Sequence, residues 1–189
     1  MYDVIIVGAG PAGASAAIFL AKAGKSTLMF DNGLSVTRRA LIKNHYGAPE
    51  ITGPQLVDTG KEQASQLGTT IVAANVTNIR QNGEAFTVDT DQGAYEGRQI
   101  ILATGMYADL AEHIGVQIKP GTEPRVKTIV DATPQGKTSI PGIWVAGTVA
   151  GVSMHTIVTA GDGAKVAINL LSELEGARHV DHDAFKPQH

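Results

Sequence analysis

The sequence predicts an α/β fold with a central parallel sheet, flanking helices and a small antiparallel β-meander, and three observations carry the prediction. Short apolar runs at Tyr2 to Val7, Ser26 to Phe30, Gln99 to Ala103 and Ile143 to Ala146 have the near-continuous hydrophobicity of strands covered on both faces. Runs of helix formers follow the first and last of them, after Pro11 and from about His155. Between Val76 and Tyr95 apolar residues alternate across two turn signals, Asn82-Gly83 and Asp91-Gln92-Gly93, as in hairpins.

The first strand runs into Gly8-Ala9-Gly10-Pro11-Ala12-Gly13 and an alanine-rich helix to Ala23. A strand stopped by Gly-x-Gly-x-x-Gly at a helix start is a dinucleotide-binding signature, so the fold expected is Rossmann-like. Gly8 permits the sharp turn, Gly10 lets a pyrophosphate approach the backbone, and Gly13 lets helix and strand lie close. Pro11 and Ala12 open the helix, where Pro forfeits no intrahelical bond, and the free N–H groups and dipole face the phosphates. The second strand, Ser26 to Phe30, ends at Asp31, 18 residues after Gly13, where a carboxylate is expected to accept ribose hydroxyls and to disfavour a 2′-phosphate.

Asn32-Gly33 begins an irregular stretch to Pro49, the kind of long loop that touches ligands. Arg38-Arg39 within it could meet an anion or an acidic partner, but adjacent arginines are more often solvated. Thr52-Gly53-Pro54 opens a helix with Leu56, Val57, Gly60, Ala64 and Leu67 along one side, ended by Gly68. Thr70 to Ala73 is expected as a third parallel strand. The meander follows as Val76 to Ile79, Ala85 to Val88 and Ala94 to Tyr95, with Gln99 to Ala103 a separate buried strand stopped by Thr104-Gly105.

Residues 106 to 141 are the least regular, with a short helix expected at Asp109 to Ile114 and a short strand at Val126 to Val130. After the strand at Ile143, the last helix runs to Glu175 before Gly176. Its apolar face includes Ile157, Ala160, Ala164 and Leu171, and its small residues, Gly161 and Gly163 among them, would pack it close against the sheet.

At 189 residues the chain suffices for one sizeable core, expected at residues 1–176, with a tail at 177–189. Hydrophobic residues at 43% with a net charge of −3 offer no broad basic surface, so no nucleic-acid partner is expected. The first apolar run lacks a basic leader and is broken by glycines, so neither signal peptide nor membrane span is expected, and a cytoplasmic location follows by default. There is no cysteine, which excludes internal disulfides, thiolate metal sites and a Cys-x-x-Cys redox pair. Hydrolase, phosphate-loop and zinc-protease motifs are missing too. The tail His179-Val180-Asp181-His182-Asp183 could be drawn as a metal site, but it lacks a rigid frame and further ligands, so no metal is expected; His113 and His189 carry no signal.

Nearly the whole chain resembles the FAD domain of the low-molecular-weight thioredoxin reductases, in the two-dinucleotide-binding flavoprotein superfamily. The resemblance rests on the opening glycine motif, Asn44-His45-Tyr46-Gly47, Ile51-Thr52-Gly53-Pro54, Ile101-Leu102-Ala103-Thr104-Gly105, the stretch from Thr138 to Gly147, and Thr159-Ala160-Gly161. It implies a bound FAD, with the adenosine end at Gly8 to Gly13, Asp31 and Asn32 and the adenine against Val76. Thr104, Gly105, Gly147 and Thr148 then belong to the same site, and the isoalloxazine lies between Asn44 and Met154-His155-Thr156. A helix N-terminus there suits the negative charge of reduced flavin. His155 has two readings: its side chain could stabilise the reduced ring or donate a proton, or its backbone N–H does the work while the ring packs. Packing is expected of His45 and Tyr46.

Two departures matter. The family's NADPH domain and Cys-x-x-Cys pair are absent between about residues 106 and 137, and Thr148 stands where the family carries Asp. Without a thiolate there is no internal dithiol to reduce a substrate disulfide. The expected function is therefore that of an FAD-dependent oxidoreductase passing electrons between an external donor and an external acceptor, with a protein partner among the candidates, in a homodimer. The alternative is a low-turnover flavin-binding redox sensor or electron-transfer subunit; an NAD-dependent dehydrogenase is a third reading.

Overall fold

The computed structural model describes residues 1–181 and 183–185. In chain order the elements are β1 (Tyr2–Val7), α1 (Pro11–Lys22), β2 (Thr27–Phe30), a 3-10 turn at Val36–Arg39, β3 (Leu41–Ile42), β4 (Ile51–Thr52), α2 (Gly53–Gln66) and β5 (Thr70–Val72). They continue as β6 (Val76–Asn82), β7 (Ala85–Thr90), β8 (Gly93–Leu102), α3 (Asp109–His113), β9 (Ile118–Pro120), β10 (Thr128–Val130), β11 (Ile143–Val145), a 3-10 turn at Thr148–Ala150 and α4 (Thr156–Glu175).

The main sheet has the order β5-β2-β1-β8-β7-β6, with β11 also on β8. Pairings among β5, β2, β1, β8 and β11 are parallel, and β6, β7 and β8 form the antiparallel meander. This is the predicted mixed α/β architecture, with one correction. The third meander strand and the buried strand ending at Thr104 are a single element, β8. One edge of β8 pairs with β7 over Gly93 to Gly97 and then with β11 over Ile100 to Leu102, while the other pairs with β1 over Gly97 to Leu102. The polar residues Glu96, Arg98 and Gln99 mimic a break because β8 is exposed in its first half and covered on both faces in its second.

Period-two alternation in β1 places Val4 and Ile6 in one apolar cluster and Ile5 and Val7 in the other, so the sheet has a core on each face. The first joins α1 and α4 through Ala16, Leu20, Val166 and Leu170; the second gathers Phe30, Phe86, Val88, Ala111 and Val130. Each fully buried large side chain stabilises by about 2 kcal/mol, against about 0–1 for an exposed ion pair, so these two cores rather than the surface charges hold the fold. The small residues of α4 serve a contact other than the one expected. A Cβ on Gly163 would stand 2.0 Å from the Ala12 carbonyl oxygen, so α4 lies backbone to backbone on α1, while its Val166 and Leu170 share the apolar cluster of Ile101 and Trp144 of the sheet.

Helix α2 begins with a capping box formed by Thr52 and Gln55: the Gln55 N–H donates to Thr52 Oγ1, and Gln55 Oε1 accepts the Thr52 N–H. The segment between β8 and β11 is more ordered than its composition suggests, holding α3 and the antiparallel pair β9–β10. No helix among the described residues is long and apolar enough to cross a membrane.

Candidate functional site

The C-terminal ends of β1, β2, β8 and β11 open into a cleft of about 780 Å³, where open α/β sheets bind their ligands. Gly8, at φ +108°, begins its floor; its N–H donates to the Phe30 carbonyl, and a Cβ there would lie 2.3 Å from the Ala103 carbonyl oxygen. Gly10 caps α1 without a side-chain cap, Pro11 and Ala12 follow, and the first N–H groups of α1 have no intrahelical partner. Gly8, Gly10, Pro11 and Ala12 line the cleft. Gly13 stands behind them, where a Cβ would be 1.9 Å from the Gly8 carbonyl oxygen, so it holds helix to turn rather than facing the cavity.

Asp31 lines the cleft with both carboxylate oxygens engaged: Oδ1 accepts the Gly33 N–H at 2.8 Å, and Oδ2 meets Lys61 Nζ of α2 at 2.8 Å. Burial pushes this carboxyl up, but the hydrogen bonds from Lys61 and Gly33 and the charges of Lys61 and Arg38 outweigh it and hold it below the usual carboxylate value. Asn32 lines the cleft beside it, accepting the Leu34 N–H and donating to Asn75 Oδ1. Val76 is also in the lining, flanked by Ala74, Asn75 and Thr77.

Thr104, Gly105, Gly147, Thr148, Met154 and Thr156 line the rest. Gly147 adopts φ +83°, and its N–H donates to Asp162 Oδ2 of α4 at 2.7 Å, with the carboxylate buried. The backbone that presents Thr148 is thus held by a buried carboxyl group of α4. The Met154 N–H donates to Glu123 Oε2 at 3.4 Å.

Besides Gly13, two expected residues lie outside the lining. His155 is the N-cap of α4, exposed, with Nδ1 2.7 Å from Ser153 Oγ. Asn44 is exposed in the loop from Lys43 to Pro49, which forms its own hollow; that loop is tied to α4 by His45 Nδ1, 3.0 Å from Thr156 Oγ1. Tyr46, on the same loop, is 92% exposed.

Several contributors escaped the sequence reading. Asp109 and His113 line the cleft from one face of α3, and their i,i+4 spacing in an expected helix was the available signal. Lys61 and Asp162 had none, since their partners are distant in sequence. Arg38 is paired with Asp58 at 2.7 Å instead of solvated, while Arg39 is exposed. In the tail, Asp181 and Asp183 both turn to Lys22 and His179 Nδ1 meets Glu175, so the acids and this imidazole point to different partners; His182 and His189 lie outside the described residues.

The family model described as pyridine nucleotide-disulphide oxidoreductase matches residues 2–129 and 52–164. The chain belongs to the pyridine nucleotide-disulphide oxidoreductase family. It is 36% identical over 116 residues to a thioredoxin reductase of Listeria monocytogenes, covering 60% of this chain and 35% of that protein. Against the thioredoxin reductase of Aquifex aeolicus it is 39% identical over 112 residues, covering 56% and 34%. The chain thus spans about a third of the length of the curated relatives it matches. In fold it is similar to a thioredoxin reductase from Gloeobacter violaceus, with a TM-score of 0.79 at 19% identity over 98% of this chain and 99% of that one. The same holds for an atypical thioredoxin reductase from Desulfovibrio vulgaris Hildenborough, at a TM-score of 0.75, 19% identity, and coverage of 93% and 99%. This oxidoreductase family and a thioredoxin-reductase-like fold are what the resemblance in the sequence implied.

Proposed function

We propose that this chain is an FAD-binding oxidoreductase that takes electrons from an external donor and gives them to an external acceptor, without an internal disulfide. The observation that carries the reading is one continuous cleft joining the glycine turn and the first N–H groups of α1 to the start of α4, in a chain with no cysteine.

The residues present fit the cofactor. A volume of about 780 Å³ is in the range of cofactor sites. The glycine floor admits a diphosphate against the α1 amides, and Asp31 has unused lone pairs for ribose hydroxyls. Asn32 and Val76 flank the adenosine end, while Thr104, Gly105, Gly147 and Thr148 border the middle. When bound, FAD supplies the redox chemistry. The residues of the chain orient and tune it. Thr148 offers a hydroxyl on a backbone held by Asp162, and the N-terminus of α4 at Met154, His155 and Thr156 presents the positive end of its dipole to developing negative charge. His155 acts by its backbone position at the N-cap, and the His45–Thr156 contact brings Asn44 to the same rim. Only α3 and the β9–β10 pair occupy residues 106 to 142, so the donor comes from outside this part of the chain, and residues 1–176 function as a single flavin domain followed by a tail.

Denaturing the native protein should release FAD, identified by chromatography and fluorescence; NAD(H) in its place would overturn the reading in favour of a dehydrogenase. Photoreduction should bleach the flavin, whereas NADPH alone should reduce it slowly and without tight saturation. A low-turnover sensor or electron-transfer subunit is the second reading, favoured by the lack of cysteine. Partner affinity that changes with flavin redox state, with negligible turnover, would select it. A homodimer in the cytoplasm completes the proposal, checked by sedimentation and fractionation.

A further inference from the structure

Asp31 sits where a dinucleotide fold keeps its ribose acid, yet it does not stand alone. Its Oδ2 is 2.8 Å from Lys61 Nζ, its Oδ1 accepts the Gly33 N–H, and its side chain is 11% exposed against 24% for Lys61. Lys61 also lies 3.6 Å from Asp58 Oδ1, and Asp58 pairs with Arg38 at 2.7 Å. Two carboxylates and two cations therefore form one neutral cluster, reaching from the outer side of α2 to the cleft.

We infer that Lys61 is a positioning and specificity-determining residue for the ribose end of the ligand: it locks Asp31 ionised and in one orientation, so that the site selects an intact ribose diol. The inference rests on the dinucleotide reading of the cleft and deepens it. A carboxylate oxygen has two lone-pair directions. With one direction of each oxygen occupied from behind by Gly33 and Lys61, the remaining two are free for a pair of hydroxyls. Of the three donors of the ammonium, one goes to Asp31, while Asp58 at 3.6 Å adds charge alone. Without Lys61 the same carboxylate would keep its burial and lose its ionic partner. It would then be free to rotate and easier to protonate.

The test uses apoprotein of the full chain and titrates ADP, 2′-deoxy-ADP and FAD by calorimetry. The wild type should prefer ADP over 2′-deoxy-ADP by roughly tenfold, the strength of a hydrogen bond to a charged group. Lys61→Met should reduce that ratio to about one, while Lys61→Arg restores it. The ratio is the informative quantity, because removing any cation weakens both diphosphates alike. A second readout is pH. The remaining charged groups on the cleft are Asp109 and His113 of α3, so the comparison is made with His113→Gln in both proteins. As pH falls toward the carboxylate range, FAD affinity should begin to decline at a higher pH in Lys61→Met than in the Lys61 protein. An unchanged ratio in Lys61→Met at every pH overturns the inference, as does a wild type that binds no ADP. ADP selectivity that depends on Lys61 without any FAD binding would uphold it while defeating the flavin reading. If Lys61→Met does not fold, Lys61→Gln is judged by the same criteria.

Discussion

The two ends of the cleft are built on different principles. At the glycine-turn end, β1, the turn and α1 are consecutive in sequence, and their fit depends on backbone atoms touching where side chains are missing. At the far end, Gly147, Thr148, Met154 and Thr156 come together through long-range contacts: Asp162 to Gly147, His45 to Thr156 and Glu123 to Met154. The first end is a packing solution with nearly no freedom, and the second is a polar assembly whose members can be exchanged one at a time. Thr148 illustrates the exchange, since a hydroxyl stands on a backbone whose neighbour is held by a carboxylate from α4.

Substitution should expose this difference. Gly13→Ala should have the largest effect, because its Cβ would lie 1.9 Å from the Gly8 carbonyl oxygen and 3.0 Å from its carbon, and neither backbone atom can move without opening the turn. We expect a loss of about 3 kcal/mol in urea unfolding together with loss of cofactor retention. A loss below about 1 kcal/mol would show that the turn is softer than its contacts imply.

Asp162→Ala is the matching probe of the far end. It leaves the buried Gly147 N–H without an acceptor and should cost about 2 kcal/mol in the same unfolding experiment. Cofactor release should also speed up, as the Gly147 backbone relaxes from its positive φ. Asp162→Asn keeps an acceptor and should recover most of the stability. If both variants behave alike, the carboxylate charge rather than the hydrogen bond is what matters there.

The same contrast governs what could be read in the sequence. The Gly8 to Gly13 motif, Asp31 and the Thr52-Gly53-Pro54 helix start are signals in which residue type and spacing are the mechanism, so each element followed directly. Strand β8 was divided in error because its composition changes where its neighbours change, which no local pattern records. Lys61 and Asp162 were invisible because a lysine and an aspartate on helices look solvated until the fold brings Asp31 and Gly147 to them. Asp109 and His113 stood between these cases, on a short helix whose existence was expected but whose facing was not.

Thr52→Ala tests a local device outside both ends. It removes the Oγ1 acceptor of the Gln55 N–H at the start of α2, the helix that carries Lys61. A loss of about 1 kcal/mol is expected by thermal or urea unfolding. Because only the first turn is affected, ligand selectivity should not change; altered selectivity would mean that fraying reaches Lys61, two turns on.

The smallest effect expected is an acid one at Asp31. Its carboxyl lies below the usual value, since the Lys61 and Gly33 hydrogen bonds and the charges of Lys61 and Arg38 outweigh the upward push of burial. A group depressed in the folded state contributes stability that is present above its unfolded value, about 3.9, and is lost as pH falls through the lower folded value. Asp31→Asn should therefore be less stable than wild type at pH 6 to 7, by no more than about 1 kcal/mol for one partly exposed pair. The two proteins should begin to converge below about pH 4 and meet only beneath the lower folded value, where wild-type Asp31 is itself neutralised. Asp58 is also depressed, chiefly by its hydrogen bond to Arg38, but it is exposed and common to both proteins, so it cancels from the comparison. A gap that widens on acidification would reverse the sign and show that Asp31 is held neutral, which would remove the ion pair from this end of the cleft and leave the glycine turn as its sole constraint.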